Sequence, residues 1–93
     1  MAYRVVWSAR AIADVNAIVA YIATNSPSYA RTVARKILAA TRSLPDFPLS
    51  GRIVPEVQDE SLREVFAYSY RIIYRVREDE IRVTAVIHGK RML

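Results

Sequence analysis

The chain has 93 residues, 53% hydrophobic and 25% charged, which suits one packed domain spanning residues 1–93 and excludes wholesale disorder. Cys is absent and His88 is the only His, so a disulfide framework, a thiol nucleophile and an ordinary zinc site are excluded, and neither a metal nor a cofactor is expected. Fourteen Lys+Arg against nine Asp+Glu leave a net charge of +5, and twelve of the fourteen are Arg, the residue that makes forked contacts to phosphate and carboxylate.

In chain order, Tyr3-Arg4-Val5-Val6-Trp7 reads as an opening strand. Ser8 is placed to N-cap a helix from about Ala9 to Thr24, in which Ile12, Val15, Val19 and Ile22 line one face. Asn25-Ser26-Pro27 predicts a turn, with Ser26 as N-cap and Pro27 at the first helical position. A second helix then runs to about Leu44 and buries Ala30, Val33, Ala34, Ile37, Leu38 and Leu44, with Pro45 ending it. The short connection makes the two helices an antiparallel hairpin. Residues 45–61 hold three Pro, Ser50 and Gly51 and read as a surface loop.

Three strands follow, at about 62–67, 70–77 and 81–88, joined between the last two by a turn at Glu78-Asp79. An uninterrupted register from that turn pairs Tyr74 with Val83 and Ile72 with Ala85. It sets Ile81, Val83, Ala85 and Ile87 on the core face. Arg71, Ile73, Arg75 and Arg77 then share the outer face, with Arg75 opposite Arg82. Like charges across a sheet are destabilising, so this basic row predicts an anionic partner. Eleven of thirteen Ala precede residue 45, and the β-branched and aromatic alternation follows it. The expected fold is therefore α+β: an N-terminal strand and a two-helix antiparallel hairpin packed on a mostly antiparallel four-stranded sheet.

The second helix adds Arg31, Arg35, Lys36 and Arg42, which suit a solvent face. No Gly-rich phosphate loop is present, because Gly51 and Gly89 stand alone, and no nucleophile elbow accompanies His88. Apolar runs fall far short of the roughly 20 residues of a membrane span, and no secretory pattern opens the chain, so a cytoplasmic protein without a membrane partner is expected. Metal-free RNA cleavage by the 2′-OH, with Arg as the cation at the scissile phosphate, fits the composition.

Several segments together resemble the RelE/ParE toxin superfamily of type II toxin–antitoxin systems: the Trp7-Ser8 helix opening, Gly51-Arg52-Ile53-Val54-Pro55-Glu56, Leu62-Arg63-Glu64, Tyr70-Arg71-Ile72-Ile73-Tyr74-Arg75-Val76, and Ile87-His88-Gly89-Lys90-Arg91. The resemblance implies a toxin neutralised by an acidic, largely disordered antitoxin segment, as a hetero-oligomer, and the Arg-rich sheet face and basic excess make Arg71, Arg75 and Arg82 the expected antitoxin contacts. It implies one of two activities. A ParE-like toxin poisons DNA gyrase, with His88, Lys90 and Arg91 touching the target. A RelE-like toxin cleaves mRNA on the ribosome, with Arg71 and Arg91 at the phosphate and Glu56 or His88 in acid–base roles. No Tyr follows the last strand and Leu62-Arg63-Glu64 is not Lys-rich, so the ParE-like reading is the expected one.

Overall fold

The computed structural model describes residues 3–93. Strand β1 (Arg4–Trp7) leads through Ser8 into α1 (Ala9–Ala23), and α2 (Pro27–Ala40) follows a three-residue link. Strands β2 (Arg52–Ile53), β3 (Leu62–Ala67), β4 (Tyr70–Val76) and β5 (Glu80–His88) complete a sheet in the order β1-β5-β4-β3-β2. Among the described residues only the β1–β5 pairing is parallel. The expected α+β hairpin-on-sheet architecture holds, with five strands in place of four. The fifth, β2, falls in the segment expected to be loop, since two residues carry no periodicity; it exists through its pairing with Arg63 and Glu64 of β3.

Both N-caps form as expected. The Ser8 hydroxyl oxygen accepts from the Ala11 N–H at 3.0 Å, and that of Ser26 accepts from the Tyr29 N–H at 3.2 Å, with Pro27 in the first turn. Helix α2 stops at Ala40, four residues short of the expected Leu44. The Thr41 hydroxyl donates to the Leu38 carbonyl at 2.8 Å, and successive tight turns carry Leu44 back into the core before Pro45. On α1 the inward stripe is Ala11, Val15, Ile18 and Ile22, turned from the expected face, and Ile12 is half exposed.

The register holds from the Glu78-Asp79 turn as far as Tyr74↔Val83, with Arg75 opposite Arg82. Beyond it a bulge intervenes: Ile73 pairs with Ala85, leaving Thr84 as the extra residue on β5. The expected Ile72–Ala85 pair is replaced by Ile72–Val86. One inserted residue reverses every later side chain of β5, so Ala85 and Ile87 join the face away from the helices, while Val86 and His88 turn towards them. The backbone groups displaced at the bulge are taken up by α1 and its cap. Ser8 Oγ donates to the Thr84 carbonyl at 3.2 Å, and Asp14 Oδ2 accepts from the Val86 N–H at 2.9 Å.

Apolar side chains are buried on both faces of the sheet. Between helices and sheet lie Ala11, Val33, Ile37, Leu44, Ile72, Tyr74, Ile81, Val83 and Val86. On the far face a smaller cluster, Val54, Leu62, Ile73, Ala85 and Ile87, is closed by the chain after β2. Ile73 is therefore as buried as Ile72, contrary to the one-sided core that strand alternation suggests. Tyr74 carries a polar tip into this interior: its hydroxyl donates to the Pro48 carbonyl at 2.8 Å and accepts from the Gly51 N–H at 3.0 Å, while burial raises its pKa.

The chain passes so close to β3 and Tyr74 at Gly51 that a Cβ there would lie 2.6 Å from both the Glu64 carbonyl oxygen and the Tyr74 hydroxyl. Backbone cannot yield as a flexible side chain can. Gly51→Ala is expected to cost about 1–3 kcal/mol through overpacking, read as a lowered midpoint in urea unfolding.

Candidate target-binding segment and its buried charge network

Alternate residues of a strand share a face. Glu64 pairs with Arg52 on one side and with Ile73 on the other, and Arg71 lies diagonally across on β4, paired with Phe66. Arg52, Glu64 and Arg71 therefore converge on the face away from the helices. Arg71 Nε donates to Glu64 Oε1 at 2.6 Å, and the other Glu64 oxygen accepts from Arg52 Nε. From the loop after β2, Glu56 meets the Arg71 fork end-on, with Nη1 to Oε2 at 2.7 Å and Nη2 to Oε1 at 2.8 Å. Side-chain exposure is 5% for Arg71 and 0% for Glu64. Among the described residues no buried side-chain polar atom lacks a partner. A buried charge is tolerated when it is paired and fully hydrogen-bonded, and this arrangement meets both conditions.

Arg71 also reaches the end of the described chain. Its Nη1 donates to the Arg91 carbonyl at 3.0 Å, and Glu56 Oε2 accepts from the Leu93 N–H at 3.0 Å. Four of the five N–H donors an arginine possesses are thereby engaged within the molecule. Hydrogen bonds from Arg71, and after them the one from Leu93, hold the Glu56 carboxyl at about 2, below its ordinary 4.5. The two carboxylates in turn raise the pKa of Arg71.

The residues singled out from the sequence fall into separate places. Glu56, Arg71 and the backbone of Arg91 are brought together on the far face. His88 lies on the helix side, where its ring meets Tyr70 edge-on at 5.7 Å and lines a cleft of about 370 Å³ with Arg10, Asp14, Tyr21 and Arg91. Its Nδ1 accepts from the Lys90 N–H at 3.2 Å. The Lys90 and Arg91 side chains are exposed. Arg71 leaves the outer basic row because it is buried. Arg75 and Arg82 remain there and each has a nearby carboxylate: Arg75 lies 3.3 Å from Asp59 and 2.7 Å from the Ser61 hydroxyl, and Arg82 lies 3.0 Å from Glu80. The like-charge contact across β4 and β5 is thus offset locally. Tyr70 and Tyr74 sit within or against the core and Tyr68 is half exposed.

Sequence reasoning missed Glu64 as the inner partner of Arg71 and Asp14 as the cap on β5. Glu64 did leave a signal. It shares strand parity with Leu62 and Phe66, and an acidic side chain in an apolar row needs a cation beside it.

Residues 5–93 match the family described as the ParE toxin of the type II toxin–antitoxin system, parDE. The chain belongs to that family. Among curated proteins it is 34% identical over 90 residues to "Toxin RelE2" of Caulobacter vibrioides, covering 96% of this chain and 98% of that one. Its fold is also similar to a solved chain titled "Chromosomal ParDE TA system from P. aeruginosa", with a TM-score of 0.77 at 20% identity, over 95% of this chain and 97% of the other. This ParE-family chain is accordingly a toxin of the type II class within the wider RelE/ParE superfamily, and its class implies a cognate antitoxin. Among the described residues no helix is long and apolar enough to cross a membrane.

Two outcomes check the network in this toxin. Glu64→Ala leaves Arg71 Nε buried without an acceptor and Arg52 without its carboxylate, while Glu56 still pairs with Arg71, and is expected to cost about 1–3 kcal/mol in denaturant unfolding. Glu56 has a depressed folded pKa, so its contribution is present above the ordinary 4.5 and is lost as pH falls through about 2. An NMR titration of the Glu56 carboxyl carbon is expected to show that low midpoint, and Arg71→Lys to raise it.

Proposed function

We propose that this toxin arrests growth by binding DNA gyrase through Lys90 and Arg91, with His88 beside them, and does not cut RNA. The observation that carries the reading is the state of Arg71. A phosphate-stabilising arginine in a nuclease must offer free donors to the developing charge. Here the guanidinium is buried between Glu56 and Glu64, and His88 projects from the other face of the sheet. Glu56, Arg71 and Arg91 do line one open cleft of about 390 Å³, but there the Arg71 fork is spent on the Glu56 carboxylate and the Arg91 carbonyl, and His88 lines a different cleft. Lys90 and Arg91, by contrast, are exposed and adjacent. Neither is within ion-pair distance of a carboxylate among the described residues, which suits recognition of a polar macromolecular surface.

For the antitoxin, the favoured contacts on the outer row are Arg75 and Arg82. Their side chains are 31% and 41% exposed, and their internal partners are also partly exposed. Pairs of that kind contribute little and yield readily to an incoming acidic segment. Arg71, at 4% exposure, is withdrawn from that role.

The deciding experiment pairs two assays on purified toxin. Inhibition of gyrase supercoiling is expected, falling at least tenfold in Lys90→Ala/Arg91→Ala, while mRNA on translating ribosomes stays intact. Cleavage of ribosome-bound mRNA by the wild type, with gyrase unaffected, would reverse the choice.

A further inference from the structure

A segment outside any helix or strand is ordinarily more mobile than the elements beside it. Residues 89–93 instead have a backbone tied at successive points. The Gly89 N–H donates to the Ser69 carbonyl at 2.5 Å, and the Arg91 N–H donates to the His88 carbonyl at 2.9 Å. The Lys90 N–H donates to His88 Nδ1, the Arg91 carbonyl accepts from Arg71, and the Leu93 N–H donates to Glu56. Gly89 itself is required by the closeness of this seam, since a Cβ there would lie 2.9 Å from the Ser69 carbonyl oxygen.

We infer that Glu56, Arg71 and Glu64 are positioning residues for the target-binding segment: they hold its backbone from beneath so that Lys90, Arg91 and Met92 are presented outward in one arrangement. The inference rests on the reading of that segment as the gyrase contact. Arg71 and Glu64 are too deeply buried to meet a partner of protein size, so any effect on binding runs through the segment they hold. Each member has a distinct part. Glu64 orients the guanidinium through Nε, and Arg52 fixes Glu64 from the β2 side. The remaining edge of the fork is then aimed jointly at Glu56 and the Arg91 carbonyl. Glu56 closes the loop by sharing one oxygen between Arg71 and Leu93. A lysine could carry the charge but not the planar fork that makes these contacts together. Ordering a binding segment beforehand removes part of the entropy that association would otherwise cost.

Glu56→Ala on the full chain is the first test, because residue 56 lies in a surface loop. It is expected to unfold cooperatively, to exchange its Arg91 and Leu93 amide hydrogens much faster than wild type, and to inhibit gyrase roughly tenfold less well. Glu56→Gln, which keeps an oxygen for the Leu93 N–H, is expected to fall between the two. It carries the same three measurements should the alanine variant fail to fold. Lys90→Ala/Arg91→Ala separates the two ideas. If it inhibits gyrase fully, the target-binding reading falls and the positioning role falls with it. If it is impaired, the positioning role alone is overturned by Glu56 variants that exchange at the wild-type rate, or that exchange faster yet inhibit fully.

Discussion

The fork of Arg71 between Glu64 and Glu56 is the contact on which the far side of this small fold depends. A sheet covered by helices on one face must either expose the other or find something to close it. Here the closing element is short and irregular: two residues of β2 and the turn that follows. Such a segment has few ladder bonds of its own. Arg52 and Glu56, at its two ends, are joined through Glu64 and Arg71 to the central strands. That arrangement seats Val54 over Ile73 and Leu62 and makes a second apolar cluster possible. Desolvating the Arg71 and Glu64 charges is expensive, and the compensation comes from the number and geometry of the hydrogen bonds more than from Coulomb attraction alone.

The bulge at Thr84 is the second device, and it works with the first. Without it, Ala85 and Ile87 would point at the helices and the far-face cluster would lose two of its five buried members. The extra residue also sends His88 to the helix side, where Tyr70 and α1 receive it. Ser8 and Asp14 take the displaced backbone groups of β5, so one irregularity in the sheet is matched by two polar side chains at the start of α1. The same cap that starts the helix therefore also docks it.

What was legible in the sequence was local. Ser8, Ser26 and Pro27 mark helix starts through hydrogen bonds to residues three ahead, and the Glu78-Asp79 turn sets the first pairs of β4 and β5 without outside help. What was not legible was decided between distant parts of the chain. The bulge depends on α1 meeting β5 across more than seventy residues. Strand β2 exists only as a pairing, and Ile73 looks like a surface residue until the loop that covers it is in place. Arg71 shows the point most sharply. Its place in the Tyr-Arg-hydrophobic-hydrophobic-Tyr pattern is a property of the strand, whereas its chemistry is set by carboxylates seven residues before it and fifteen residues before it.

That distinction bears on how one fold hosts different activities. An arginine at a fixed strand position is available for chemistry only while nothing charged is packed against it. Acidic residues at 56 and 64 convert it into an internal strut with its field largely cancelled by neighbouring charge. The basic excess of +5 is then redistributed. Arg4, Arg10, Arg52, Arg71, Arg75 and Arg82 all have carboxylates within ion-pair distance. Arg31, Arg35, Lys36 and Arg42 on and just beyond α2, Arg63 and Arg77 on and beside the sheet, and Lys90 and Arg91 have none among the described residues. The sheet face that looks most basic in the sequence is thus the most internally compensated. Most of the uncompensated charge lies on the helix and at the strand exit, two places where a partner meets cations that need not first give up a bond.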